Sequence, residues 1–471
     1  MSDQRALLAA ICADPEEDTP RLVYADWLDE HAGGLPKPKR EMARARADLI
    51  RVQCELARLP PDEEDADTAT RRIELEDREE ALLKNAPRRR SWAKLLRPAT
   101  ENGSSLVPDE DRFVRGFPLF AVGSPGDFLA AGEAFFHLSP VHQIDCGQAR
   151  PSSLERLFAS LWLSRVRRFS VDTYAGDSSE AVFAAPALAS VEELELRNWA
   201  LRPAGTAVAG RGLRSLRRLS LHNFRDVPNG PVALARLGEV LPPDVRVREF
   251  ALHSAISGAA DLTDLASLPQ FAELERLVLG RYGGARVASP LGTDGVYAMT
   301  AAPYWRTLRS LRDADSFYSL TEPEAEALAA AQPAPQLRTL ALSSGDLSRC
   351  LPALAASPLL ASVTSLEISR TAIGDGAAAL ANSPHLGRLL SLNLAGTNLG
   401  LKGIEELAGA PWAANLVRLD LRRCPIGTRG ADALTATRAF PRLARLDVRS
   451  ALGIAGRMDR LRARFGDRVR A

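Results

Sequence analysis

A few residues have the types and spacing that chemistry needs. His142 and Cys146 lie four apart and have the types of a thiol–imidazole pair, in which the ring takes the thiol proton and leaves a nucleophilic thiolate. His222 and His253 are two possible metal ligands, and Asp26, Asp29 and Glu30 put three carboxylates within one helical stretch, as acid–base chemistry uses them. Arginine runs at 88–90, 167–168, 217–218 and 422–423 carry the charge that phosphates take. The patterns GxxxxGK[ST], GxGxxG after a strand, HExxH and GxSxG do not occur, so nucleotide, zinc-hydrolase and serine-hydrolase chemistry lack their usual marks.

Each candidate also has a purely structural account, which is the expectation. The repeat pattern below puts Cys146 on a core position and His142 between core positions, so both are expected to pack. His222 and His253 fall at equivalent positions of adjacent repeats, where a solvated pair is expected. The three acids read as a solvated helix face beside Tyr24 and Trp27. The arginines alternate with acidic stretches such as EELEL and lack the interleaved aromatics that stack bases. Five cysteines, odd in number, far apart and without a CxxC pair, are expected to be reduced and packed. No catalytic residue, metal or cofactor is expected.

Composition points the same way. The 471 residues carry 60 Lys plus Arg against 59 Asp plus Glu, a net charge of +1 without the basic excess of a nucleic-acid binder. At 46% hydrophobic the chain has material for a large core, while 6% aromatic content suits many small, similar layers. No apolar run is long enough to span a bilayer and the first residues lack a signal-type stretch, so the expectation is cytoplasmic with no membrane partner. The near-zero sum hides an asymmetry. Residues 1–70 hold 16 acidic and nine basic groups, net −7, so the other 401 residues carry +8.

The elements that must position these residues come from a repeat. The pattern apolar-x-x-apolar-x-apolar recurs from residue 141 onward, most clearly in LRTLAL, VTSLEI, LLSLNL, LVRLDL and LARLDV. The central residues Leu340, Leu366, Leu392, Leu419 and Leu446 are separated by 26, 26, 27 and 27. Earlier copies centre on Ile144, Phe169, Leu194 and Leu219 at intervals of 25, and looser ones on Phe250, Leu277 and Leu311. Twelve copies result. Turns such as Ile373-Gly-Asp-Gly and Leu399-Gly-Leu-Lys-Gly precede Ala-rich helical runs that a Pro ends, so each unit reads strand, loop, helix, return.

These residues resemble the leucine-rich-repeat superfamily in its ribonuclease-inhibitor-like style, over about 330 residues. The resemblance implies an α/β fold, a β/α horseshoe solenoid of about twelve repeats with a parallel sheet on the concave face. Thr371, Thr397 and Cys424 stand where the family usually closes the strand with Asn. Residues 1–97 read as helices, among them RLVYADWLDEHA, one from Arg40 to Leu59, and one after the acidic linker PPDEEDADT. Leu8, Asp14-Pro15, Arg21 to Leu28 and Leu49 to Leu56 resemble the bacterial repeat-companion domain, RGFP at 115–118 resembles its join to the first repeat, and LRARFGDRVR resembles the closing cap. This resemblance implies a bacterial source and no transferable chemistry. The expected organisation is 1–97 helical domain, 98–122 connector and N-terminal cap, 123–450 repeats, 451–471 C-terminal cap.

Outward strand positions then stack in columns about 4.8 Å apart. The middle of the array presents a nearly uncharged floor containing Ser365, Ser391 and Asn393 beside Glu367. The last two repeats present Arg418, Asp420, Arg422 and Arg445, Asp447, Arg449, stacking like charges. Two accounts fit these rows: a charged partner surface, or a self-neutralising Arg-Asp-Arg checkerboard. The expectation is a non-enzymatic scaffold that captures a protein partner on these ten residues. A second reading is a regulatory inhibitor of a protease, or its cleaved target, in a bacterial stress or defence system. For that reading PATENGSSLVPDED (98–111) and the insertion RYGGARVASP (281–290) are the exposed segments where cleavage would fall.

Overall fold

Each copy of the repeat becomes one strand. In the computed structural model, which describes residues 3–94, 106–122, 124–140, 142–173, 180–198, 212–223, 234–253, 259–280, 291–314, 321–343, 346–436 and 440–470, contacts define two units. One is Met1–Leu59 with Arg71–Leu216 and Val240–Val245, the other Pro60–Thr70 with Arg217–Glu239 and Arg246–Ala471. The boundary thus falls among the repeats.

The first unit opens with helices α1 (Asp3–Ala13), α2 (Thr19–Ala32) and α3 (Lys37–Arg58), then α4 (Ala66–Leu83), whose first turn belongs to the second unit, and α5 (Ala86–Lys94). Strands β1 (Leu106–Val114) and β2 (Phe117–Val122) form an antiparallel pair, after which come α6 (Pro125–Leu138) and the parallel strands β3 (Gln143–Ala149), β4 (Arg168–Thr173) and β5 (Glu193–Arg197). The proposed connector 98–111 is therefore partly strand. Leu106 to Asp111 belong to β1, because Phe113 beyond them docks on Trp92 and Leu49 and draws the chain into a hairpin, while 98–105 lie outside the described residues.

Residues of α2 and α3 meet around that hairpin. Arg115-Gly116 makes its turn with φ of 49° and 83°. A Cβ on Gly116 would lie 2.2 Å from Ile50 Cγ1, so only glycine allows this approach. Gln53 of α3 accepts the Gly116 N–H at 2.6 Å and donates to the Phe113 carbonyl at 3.1 Å. Phe117 is fully buried under the guanidinium of Arg46, which sits 5.3 Å from its ring centre and 5.7 Å from that of Tyr24.

The second unit holds β6 (Arg218–His222), β7 (Glu249–His253), β8 (Arg276–Gly280), β9 (Ser310–Ala314), β10 (Thr339–Ser343), β11 (Ser365–Ser369), β12 (Ser391–Asn393), β13 (Arg418–Asp420), β14 (Arg445–Asp447) and β15 (Val469–Arg470). All pair in parallel with the sequence-defined centres opposite one another, from Leu219 with Phe250 through Leu419 with Leu446. The register follows from burial: a slip of one residue would turn the buried leucines outward. Helices such as Gly376–Ala381 and Leu401–Gly409 cover the other side of the strands. Close approach there needs small residues, since a Cβ on Gly376 would meet Leu351 Cδ1 at 2.4 Å. In the place of the usual Asn, the buried Thr397 hydroxyl donates to the Leu394 carbonyl at 2.9 Å, the Cys424 thiol donates to the same carbonyl at 3.0 Å, and Thr371 accepts the Leu347 N–H at 3.3 Å. Val469 pairs with Leu446 and closes the ladder.

Candidate interaction face

The chemical candidates separate once placed. Cys146 is fully buried, and burial pushes its thiol up to about 12. Burial, then Arg165 and Arg167, pull His142 down to about 4. A protonated thiol and a neutral ring are the opposite of an activated pair. The rings of His222 and His253 stack with centres 4.3 Å apart, and among the described residues no group of three or more His, Cys, Asp or Glu is placed to hold a metal ion. Asp26 and Asp29 both receive hydrogen bonds from Arg51 of α3, each at 2.7 Å, so these carboxylates fasten two helices together. All five cysteines are free and buried.

The charged rows lie as the repeat predicts, Arg418 opposite Arg445 and Asp420 opposite Asp447. Like charges in register are tolerated because the exits of the strands supply partners. Arg422 bonds Asp420 at 2.6 Å and reaches diagonally to Asp447 at 3.6 Å, and Arg449 bonds Asp447 at 2.6 Å. Both carboxylates are buried, and Arg445 is too, whereas the Arg422 and Arg449 side chains stay nearly half exposed. Asp420 and Asp447 are thus each paired with arginine within the chain. Hydrogen bonding to Asp420 raises the pKa of Arg422 further, so its charge is permanent.

Farther along the strand exits, Glu367, Asn393, Arg422 and Arg449 line one polar depression of about 360 Å³ with Arg370 and Arg423. Arg312 reaches Glu367 at 3.6 Å, and Asn393 accepts the Ala395 N–H at 2.9 Å. Ser365 and Ser391 do not belong to this depression. They stand opposite each other in the column that also holds Arg276, Ser310, Thr339, Arg418 and Arg445.

That column carries functional candidates that sequence reasoning missed. The acidic linker lies against it. Asp62, whose side chain is only 2% exposed, accepts from Arg276 at 2.8 Å and has Arg309 at 3.8 Å. Glu64 pairs with Arg309 at 3.3 Å, and Glu63 with Arg418 at 3.6 Å. Neighbouring carboxylates thus engage arginines of β8 and β13, five steps apart in the ladder, with the buried Ser310 and Thr339 in the same column. Burial, then Arg388, depresses the pKa of Arg338, while Glu64 and Asp62 act in the opposite sense. The signal available in the sequence was the pairing of a short acidic run with arginines at the entrances of repeats far away in the chain. The insertion 281–290 lies outside the described residues.

The fold is a β/α solenoid of the leucine-rich-repeat type, preceded in the chain by helices. The leucine-rich-repeat family model matches residues 413–434, the β13 repeat. No curated protein matches the chain. Among solved structures it is similar to an internalin of Listeria monocytogenes, at 16% identity over 64% of this chain and 71% of that one, with a TM-score of 0.36. It is also similar to a leucine-rich-repeat protein of Leptospira interrogans, at 14% identity over 71% and 90%, with a TM-score of 0.30. A Bacteroides fragilis protein is similar at 16% identity over 63% and 60%, with a TM-score of 0.26. Among the described residues no helix is long and apolar enough to cross a membrane.

Proposed function

We propose that the chain is a non-enzymatic scaffold that captures a protein partner on the exposed face of its repeat strands. The observation that carries this reading is the polar depression at the exits of β11 to β14, where Arg422 and Arg449 are held in fixed directions by buried aspartates yet keep nearly half of each side chain exposed. An arginine already oriented by a neighbour loses little freedom on binding, and its fork grips carboxylates with two hydrogen bonds. Glu367 and Asn393 supply acceptors beside them, and Ser365 and Ser391 give a small hydroxylic floor. Arg418, Asp420, Arg445 and Asp447 act as the support of this face. Replacing both Arg422 and Arg449 with Ala is expected to weaken capture of the native partner at least tenfold, read by quantitative co-purification on the full chain. Unchanged capture by a folded double variant rejects the assignment.

The bacterial source and the companion domain belong to this proposal through the resemblance stated above, and the cytoplasmic location through the composition of the sequence. The reading as a protease inhibitor or cleaved target draws no support from the described residues, since the part of its proposed connector that is described is strand.

A further inference from the structure

Resting on that reading of the strand face, we infer that the natural ligand of its arginine column is an extended segment of the partner bearing successive Asp or Glu residues, and that Asp62–Glu64 is the chain's own occupant of that place. Three consecutive carboxylates reach different parts of the ladder: Asp62 to Arg276 with Arg309 beyond, Glu63 to Arg418, and Glu64 to Arg309. Both ends of the segment are fixed. Pro60 and Pro61 restrict the chain before it, and after it Asp65 accepts the Thr68 N–H and hydroxyl at 2.8 Å each and so caps α4. The three carboxylates are joined by ion pairs to Arg276, Arg309 and Arg418.

Within the ladder Arg276 also has Glu249, its neighbour in the column on β7, at 3.8 Å, a longer contact than its 2.8 Å bond to Asp62. At the corresponding positions of β9 to β12 the column holds Ser310, Thr339, Ser365 and Ser391, small hydroxylic residues between Arg276 and Arg418. A column of small hydroxylic residues with an arginine at each end is matched in charge by an acidic peptide. A segment tethered at both ends competes at an effective concentration on the order of millimolar, enough to suppress weak encounters while yielding to a partner that also engages Arg422 and Arg449. The segment therefore sets a threshold for capture.

The test uses the full chain and a fluorescent peptide with the sequence of residues 59–68, LPPDEEDADT, read by anisotropy at low salt. The variant Asp62→Asn, Glu63→Gln, Glu64→Gln is expected to bind this peptide at least tenfold more tightly than the unaltered chain, and to ignore the neutral peptide LPPNQQNANT. Glu63→Gln with Glu64→Gln, which keeps the buried Asp62 and its bond to Arg276, is expected to gain at least threefold and decides the matter if the triple variant does not fold. No gain in a folded variant, or equal binding of the neutral peptide, overturns the inference. If the peptide ignores these changes while Arg422→Ala with Arg449→Ala still weakens capture, the acidic-segment inference fails and the reading of the face stands.

Discussion

Removing either partner of the Asp62–Arg276 pair should destabilise the second unit by more than a surface ion pair does. The separation is 2.8 Å, with Asp62 2% and Arg276 21% exposed. At an effective dielectric constant of about 20 the gross attraction at that distance is about 6 kcal/mol. Desolvating the two ions offsets much of it, and a single deletion that strands a buried charge costs about 3 kcal/mol. Arg309 at 3.8 Å partly compensates the stranded carboxylate, so a coupling of about 2 kcal/mol is expected between Asp62→Ala and Arg276→Ala. The assay is a double-mutant cycle by urea unfolding, repeated at about 0.5 M salt, where exposed pairs are screened and this one keeps most of its coupling. A control cycle on Lys402 and Asp375, whose side chains are 74% and 91% exposed, sets the surface value. A coupling no larger than that control, or one that salt abolishes, refutes the claim that the segment is seated in the column.

Gly116→Ala should cost about 3 kcal/mol in thermal unfolding, because φ of 83° and the 2.2 Å contact with Ile50 both oppose a Cβ; a shift in Tm under 2 °C contradicts the hairpin geometry. The five buried thiols should resist alkylation at pH 8 in the folded chain and react fully in denaturant, with Cys12 and Cys54 raised to about 11 and about 12; rapid native labelling of either overturns this. His142 is held neutral down to about pH 4, so as pH falls from about 6.5 the unfolded chain takes up its proton first and stability declines toward pH 4. His142→Gln should remove that part of the pH dependence, measured as the difference between the two urea-midpoint profiles, and parallel profiles contradict it.

The ladder was legible because its signal is periodic. Leu340, Leu366, Leu392, Leu419 and Leu446 fix the register of neighbouring strands outright, since a parallel sheet buries the same residue of each copy. The stacking of His222 on His253 followed from the same register. The ion-pair partners were not legible, because side-chain reach is not periodic. Asp420 and Asp447 stand in outward columns yet are covered, their arginines folding back from two residues later. Still less legible was the acidic linker, whose composition reads as solvated chain. Its pairing with Arg276 spans 214 residues of sequence, and only the closed fold brings them together. Strand β1 escaped for a related reason, its anchor Phe113 being defined by Trp92 of a separate helix.

The site at which a partner touches the chain is the most direct test of the proposed interaction face. A benzophenone amino acid at Asn393, on the strand face, is compared with one at the exposed Glu405 on the helical side, each in the unaltered chain and in the Asp62→Asn, Glu63→Gln, Glu64→Gln background. A protein crosslinked from Asn393 and not from Glu405, with yield rising when the acidic segment is neutralised, is the predicted result. Equal crosslinking from both positions, or a yield from Asn393 that ignores the segment, contradicts it.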